Sequence, residues 1–378
     1  MKKIFFLLSI FLSFSNIYAV EITLDAKSAI LIDQNTGSVL YKKNENEKLP
    51  MASMTKIMSL LLIMEKIDEG TLKYDDSVVI SENASKMGGS QIFLQTGDKY
   101  KVKELIKSIA MASANDAVVA MAEKTYGSEE AFVEAMNKKA SELGLKNTNF
   151  MNVHGLDANN HYSSAYDMAI IAKALLEHED IIKYSSVYEE YLQKPDGSQI
   201  WLVNTNKLVR FYNGVDGLKT GYTKNAGYCL TATGKRSDLR LISVVMGEET
   251  IEKRSQDTVK LLNYGFNTYK VNVIKSKKEV LGKVLVDKGM KEEVEVVLKK
   301  DMIELLKVSD SISKYNFKLN INKVKAPIKV GDTVGKAIIL DENNKVINEA
   351  DITVKESVSK ISLLKLFTRV IRHNLINI

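Results

Sequence analysis

The chain holds a single cysteine, Cys229, among its 378 residues, so no disulfide can form within it. Stability must come from a core, which a composition of 45% apolar residues can supply. Cys229 itself is expected to be a small hydrophobe buried in a strand. A strong charge bias is also missing. Basic residues exceed acidic ones by 53 to 47, and by 51 to 47 once Lys2 and Lys3 are set aside. That excess is too small for a nucleic-acid binder. No apolar run is long enough to span a bilayer. The opening "MKKIFFLLSIFLSFSNIYA" has two lysines, a short apolar stretch broken by Ser13, Ser15 and Asn16, and small Ala19 at its end. This is the layout of an export signal over 1–19, cleaved after Ala19. His154 and His161 lack the spacing of a zinc helix, so loop or turn roles are expected, with no metal and no cofactor. Internal repeats and low-complexity tracts are absent too.

What is present begins with a hairpin pattern in "KSAILIDQNTGSVLYKKN" (27–44), around Asn35-Thr36-Gly37. "MASMTKIMSLLLIMEKIDEG" (51–70) is apolar on nearly every face, as a helix buried all round would be. Pro50 before it and Gly70 at its end punctuate that helix. Helical periodicity returns at 102–112, 116–125, 129–143, 165–176 and 251–264, and strand patterns at 199–204, 226–234 and 239–247. A strand pair, several helices and then strands predict an α+β domain over 20–270 with a mainly antiparallel sheet. Period-2 alternation across 272–353 predicts a small all-β domain. In "SVSKISLLKLFTRVIRHNLINI" (357–378), Val358, Ile361, Leu364, Phe367, Val370, Ile371 and Leu375 recur at helical spacing, opposite Lys360, Lys365, Arg369 and Arg372. Such a helix suits a membrane interface. It equally suits packing on the β domain or on a partner.

Three polar groupings carry chemistry. In "SMTK", Ser53 and Lys56 stand at i and i+3, one helical face. A serine hydroxyl needs a base, and a lysine amine becomes one when burial and a neighbouring positive charge lower its pKa. The spacing alone is common, since Ser311–Lys314 and Ser357–Lys360 repeat it. Ser113 and Asn115 form Ser-x-Asn between two helical patterns, with Asn115 placed to cap the second. Ser81-Glu82-Asn83 repeats that spacing as well. Lys219-Thr220-Gly221 occurs once, on a strand where glycine would admit a close neighbour.

The three in this order match the set shared by penicillin-binding proteins and class A β-lactamases. The chain resembles the low-molecular-mass penicillin-binding proteins that are D-alanyl-D-alanine carboxypeptidases, serine peptidase family S11. "MGGSQIFLQTGD" (87–98), "HGLDANNHYSSAYDMA" (154–169), "GVDGLKTGYT" (214–223) and "AGYCLTATG" (226–234) strengthen the likeness, which is strong over 25–270 and looser over 272–353. The resemblance implies Ser53 as nucleophile, Lys56 as general base and Ser113 as proton shuttle. It implies that Asn115, Lys219, Thr220, Gly221, Tyr222 and Arg254 bind substrate, the Ser53 and Tyr222 N–H groups forming the oxyanion hole. The substrate, a peptidoglycan stem peptide ending in D-Ala-D-Ala, would lie along 219–222 as an added strand, with Gly221 clearing its path. β-Lactams would acylate Ser53. The implied place is the outer face of the cytoplasmic membrane, with peripheral attachment through 357–378.

Asn225 stands where the family often has a charged residue, which bears on a local contact. Trp201, Phe211 and Tyr212 are expected to pack in the core or at the rim, with lining of the cleft as the alternative, and Asp157 and Asp167 read as structural caps. Two rivals stay open. A serine β-lactamase would share the nucleophile, but the Glu-x-x-Leu-Asn stretch of class A enzymes is missing. A non-catalytic envelope protein that binds penicillin would not need all six polar site residues. An endopeptidase cutting crosslinks would use the same site.

Overall fold

The computed structural model describes residues 22–312 and 314–376, with only the backbone at 370 and 372–376. The export signal expected over 1–19 lies outside them, as do the side chains of Val370, Arg372 and Leu375.

The hairpin pattern folds as β1 (Ser28–Asp33) and β2 (Val39–Lys43). A tight 3-10 turn, Ala52–Thr55, then runs straight into α1 (Lys56–Asp68). A short strand pair, β3 (Ser77–Val79) and β4 (Lys99–Lys101), encloses α2 (Glu82–Ser85). Next come α3 (Val102–Ala112), α4 (Asn115–Tyr126), α5 (Glu129–Glu142), α6 (Ala165–Leu175) and the one-turn α7 (Ile182–Ser185). The hairpin β5 (Glu189–Gln193) and β6 (Gln199–Val203) precedes α8 (Leu208–Phe211). Three long strands follow, β7 (Val215–Thr223), β8 (Gly227–Arg236) and β9 (Leu239–Glu248), and then α9 (Ile251–Thr268).

These elements build one antiparallel sheet in the order β2-β1-β9-β8-β7, with β7 at its edge. Every residue of β1 is buried because both sheet faces are covered. Ile30 and Ile32 point into the larger core with α1, α3, α4 and α6, while Ala29 and Leu31 point into a second core under α9. Lys56 through Met64 are all buried, as all-round apolar character requires. Burying α1 in this way holds its N-terminal turn against β7 at the sheet edge.

The second half is all β. Strand β10 (Tyr269–Lys275) pairs with β13 (Met302–Lys307). A six-stranded sheet holds β11 (Gly282–Asp287), β12 (Glu293–Leu298), β14 (Asn316–Ile321), β15 (Val324–Lys325), β16 (Gly335–Leu340) and β17 (Val346–Val354), in the order β14-β16-β17-β12-β11-β15. Period-2 alternation locates this region, although its first strand starts at 269 rather than 272.

The tail departs further from its pattern. The helix, α10 (Leu363–Ile376), begins six residues later than the periodicity from 357 predicts. Val358 instead exchanges backbone hydrogen bonds with Ile328, the Ile361 N–H donates to the Lys288 carbonyl, and both side chains are buried. Their helical spacing conceals a strand-like return to the β domain's core.

Candidate active site

Ser53 stands in the 3-10 turn that opens α1, behind Ala52, whose φ of +48° is unusual for a residue with a Cβ. The turn is held from two sides. A Cβ on Gly155 would lie 2.0 Å from the Ala52 carbonyl oxygen, so only glycine permits that approach. His161 accepts the Met151 N–H at Nδ1, so the neutral ring donates from Nε2 to Thr55 Oγ1 at 2.8 Å. Thr55 in turn donates to the Ala52 carbonyl at 2.8 Å.

Lys56 is fully buried below this turn. Its Nζ lies 3.0 Å from Ser53 Oγ, 2.6 Å from Asn115 Oδ1 and 2.7 Å from the His154 carbonyl. Burial, and then the charge of Lys219, hold the amine well below the usual lysine range, with Asp116 pulling the other way. A neutral amine has two N–H donors and one lone pair. Asn115 Oδ1 and the His154 carbonyl are acceptors and take the two N–H groups. In that neutral form the remaining position on nitrogen faces Ser53 Oγ, which also lies 3.5 Å from the His154 carbonyl.

Asn115 does not cap α4 as expected. It is the first helical residue, with Ala114 at the cap, and its side chain donates instead to the Gly88 carbonyl at 2.7 Å. Placing the amide between Lys56 and the 88–90 loop is worth more than one capping bond, because it satisfies a buried amine. Ser113 ends α3 in the left-handed conformation, φ +62°, which turns its hydroxyl out of the helix. That Oγ is buried and has no hydrogen-bond partner among the described residues.

Strand β7 forms the opposite wall. Lys219 is buried, donates to the Thr220 carbonyl at 3.1 Å, and is lowered to about 7 by burial and the nearby Arg254 guanidinium. Thr220 Oγ1 donates to Thr205 Oγ1 at 2.7 Å. Arg254, on the first turn of α9, is buried, and its Nε has no partner among the described residues. Tyr222 is exposed and stacks on Tyr228, ring centroids 4.3 Å apart. Gly221 answers to a different neighbour than expected. A Cβ there would sit 2.7 Å from the Met51 carbonyl oxygen and 3.2 Å from Ala52 Cβ. Glycine at 221 thus admits the Ser53-bearing turn itself.

His154 and His161 are both lowered to about 4 by burial and are neutral, structural groups at ordinary pH. Asp157 accepts from Thr223 Oγ1 and Asn225 Nδ2, so an uncharged Asn225 still ties the β7–β8 turn to the 155–161 loop. Asp167 accepts the Asn147 N–H and the Thr148 hydroxyl. Trp201 and Phe211 are exposed at the rim, and Tyr212 bonds Asn263. Cys229 is buried in β8. Sequence reasoning missed Asp116, Thr205 and the support given by Gly155. Asp116 accepts the N–H groups of Ile92, Leu94 and Ala117 and so holds the loop beside Asn115. Its place directly after Ser-x-Asn was the one available signal.

An antiparallel sheet flanked by helices, a serine–lysine pair on the central helix and an all-β C-terminal domain define a penicillin-binding protein fold. Residues 16–250 match the family D-alanyl-D-alanine carboxypeptidase, peptidase S11, and residues 269–360 match the penicillin-binding protein 5 C-terminal domain. The carboxypeptidase DacF of Bacillus subtilis is 47% identical over 92% of this chain and 90% of its own. Penicillin-binding protein 5 of Haemophilus influenzae is 31% identical at a TM-score of 0.69, over 90% of this chain and all of that one. Penicillin-binding protein D2 of Listeria monocytogenes, solved with ampicillin bound, is 30% identical at a TM-score of 0.58, over 65% of this chain and 99% of that one. The chain belongs to the D-alanyl-D-alanine carboxypeptidases of peptidase family S11. These likenesses support the carboxypeptidase reading rather than the lactamase or the non-catalytic one.

Gly221→Ala is expected to push the Ser53 turn off β7 and lower kcat/KM for D-alanine release about 100-fold, since displacements near 1 Å cost that much. Circular dichroism would show the fold retained, and undiminished release would show the turn free to shift.

Proposed function

We propose that Ser53 is the nucleophile that removes the terminal D-alanine from peptidoglycan stem peptides, with Lys56 as its base. The carrying observation is the geometry at Lys56, whose buried amine lies 3.0 Å from Ser53 Oγ while Asn115 Oδ1 and the His154 carbonyl accept two of its N–H groups. In the neutral amine favoured by burial, the third position is free to take the Ser53 proton. The Ser53 proton moves to Lys56 as Oγ bonds the carbonyl carbon of the penultimate D-alanine. The resulting oxyanion sits on the N–H groups of Ser53 and Tyr222, donors worth about 3–4 kcal/mol of barrier each. The C–N bond then breaks while a proton reaches the departing amine by way of Ser113. Water attacks the ester, its proton goes to Lys56, and Ser53 is released. Asn115 holds Lys56 and offers its amide to the substrate. Lys219, Thr220 and Arg254 receive the terminal carboxylate, which supplies the charge their buried cations lack. β-Lactams acylate the same serine. An endopeptidase action on crosslinks would use the same steps.

We also read the chain as an export signal over 1–19, a catalytic domain over 20–270, an all-β domain over 272–353 and a membrane-surface segment toward 378. The exposed side chains of α10 support the last of these. Leu363, Leu364 and Phe367 are 86%, 76% and 65% exposed. Arg369 faces the other way, bonding the Gly289 and Met290 carbonyls and Glu292. The helix is pinned to the β domain by its polar side, leaving an apolar side outward for the outer face of the membrane. Among the described residues no helix is long and apolar enough to cross a bilayer.

Ser53→Ala is expected to abolish both covalent labelling by penicillin and D-alanine release, by more than about 10⁴-fold. Labelling that survives would place the nucleophile elsewhere. The neutral Lys56 is the reactive form, so acylation rises as pH rises through its lowered pKa. Lys219→Gln removes a positive neighbour, raises that pKa, and should move the acidic limb of the rate profile to higher pH. A limb that stays in place would exclude this coupling. Deleting 363–378 should release the protein from anionic vesicles, and undiminished binding would show that α10 is not the anchor.

A further inference from the structure

The β5–β6 hairpin carries a feature that the peptide-cutting chemistry does not use. Tyr191 and Trp201 are directly opposite one another across the two strands, 62% and 57% exposed. Leu192 and Leu202 on the reverse face supply the hairpin's buried contacts. The aromatic pair is therefore dispensable for packing. Gln193 and Gln199 follow it two register positions along on the same face, their side chains joined at 3.0 Å. Two aromatic faces beside amide groups can stack on the apolar C–H face of a pyranose ring and hydrogen-bond its hydroxyls.

The position fits as well as the chemistry. Four residues after Trp201 the chain reaches Thr205, whose N–H donates to the Met111 carbonyl and whose Oγ1 accepts from Thr220. The hairpin is thus bolted to both walls of the active site, with Thr205 at most about 13 Å along the chain from the aromatic pair. A stem pentapeptide can reach about 17 Å when extended. Its terminal D-alanine can therefore occupy the site while the sugar that bears it lies over Trp201.

We propose that Tyr191 and Trp201 form a glycan platform that holds the amino-sugar chain of peptidoglycan, making a glycan-linked stem peptide the preferred substrate over a free peptide. This rests on the carboxypeptidase function but not on the assignment of Ser53. Two other occupants fit less well. The pair is far smaller than the roughly 800 Å² per partner of a stable dimer. The cations nearest the hairpin are already matched, Arg210 by Glu189 and Lys107 by Glu190, which leaves little positive charge for an anionic membrane.

Trp201 is the single tryptophan of the chain, so its fluorescence reports this surface directly. The test titrates the full chain carrying Ser53→Ala with peptidoglycan glycan strands freed of their stem peptides. A saturable change in tryptophan emission is expected, weakened about tenfold by Tyr191→Ala, as the loss of one stacking contact implies. With Ser53 intact, Tyr191→Ala/Trp201→Ala should leave kcat/KM on a soluble pentapeptide unchanged. The same variant should lower it about tenfold on glycan-linked peptide, through KM. An unresponsive Trp201, or equal losses on both substrates, would overturn the platform. Sedimentation showing a dimer that the double variant dissolves would also overturn it, by assigning the patch to a second copy of this chain. Because the titration needs no catalysis, a failure of the Ser53 assignment would leave its result standing.

Discussion

Burying the amine of Lys56 is the constraint around which the catalytic domain is arranged. An ammonium moved out of water costs several kcal/mol, so a fully enclosed lysine is held neutral unless a partner charge compensates. Here the groups that accept from it are uncharged, an amide oxygen and a backbone carbonyl, and the charge with the larger influence is the positive Lys219. Enclosure demands that α1 be surrounded, which explains a helix with no polar face in its first nine residues. It also demands that the Ser53 turn close over the amine. Two glycines, 155 and 221, allow backbone to approach that turn within distances that no side chain would tolerate.

The arrangement has a thermodynamic cost that the rest of the fold must carry. Lys56 and Lys219 both have folded-state pKa values below those of an unfolded chain. Folding therefore releases protons from them, and their contribution to stability is least favourable at low pH. It improves as pH rises through the folded values toward the unfolded one near 10.5. At neutral pH the site opposes folding, and the two hydrophobic cores on either side of the sheet offset it. Asp116 limits the penalty, since its attraction raises Lys56 against the larger effects of burial and Lys219.

Much of this was legible because the reactive groups come in short local runs. Ser53–Lys56, Ser113-x-Asn115 and Lys219–Gly221 are each a short run whose spacing is common by itself, and their order, together with the family resemblance, is what singled them out. The contacts that assemble the three runs are long-range and left weaker marks. Gly155 meeting Ala52, and His161 reaching Thr55, are pairings about a hundred residues apart that no periodicity encodes. Asn115 misled because a helix-opening asparagine ordinarily caps, whereas a buried amine offered it a better partner. Gly221 clears space as its place on a strand suggests, and the neighbour it admits is the backbone of Met51. Val358 and Ile361 misled for the opposite reason, since a three-residue spacing in a returning strand imitates a helix.

The same constraint accounts for a carboxypeptidase rather than a lactamase. Fast hydrolysis of a penicilloyl ester needs a second base that holds a water against it, the part a glutamate plays in class A enzymes. Asp116 is the acid nearest to Lys56 by its effect, yet its carboxylate oxygens are committed to backbone N–H groups of residues 92, 94 and 117. Glu129 accepts the Val153 N–H and lies 3.6 Å from His154 Nε2. Among the described residues, Lys56 is therefore the one base in contact with the serine. In the proposed reaction the terminal D-alanine leaves on acylation and opens the site to water, so a single base would serve both halves of the reaction. A β-lactam is cut without losing any part of itself, and its leaving amine stays attached within the site. With no carboxylate free to drive water past it, the proposed ester would persist.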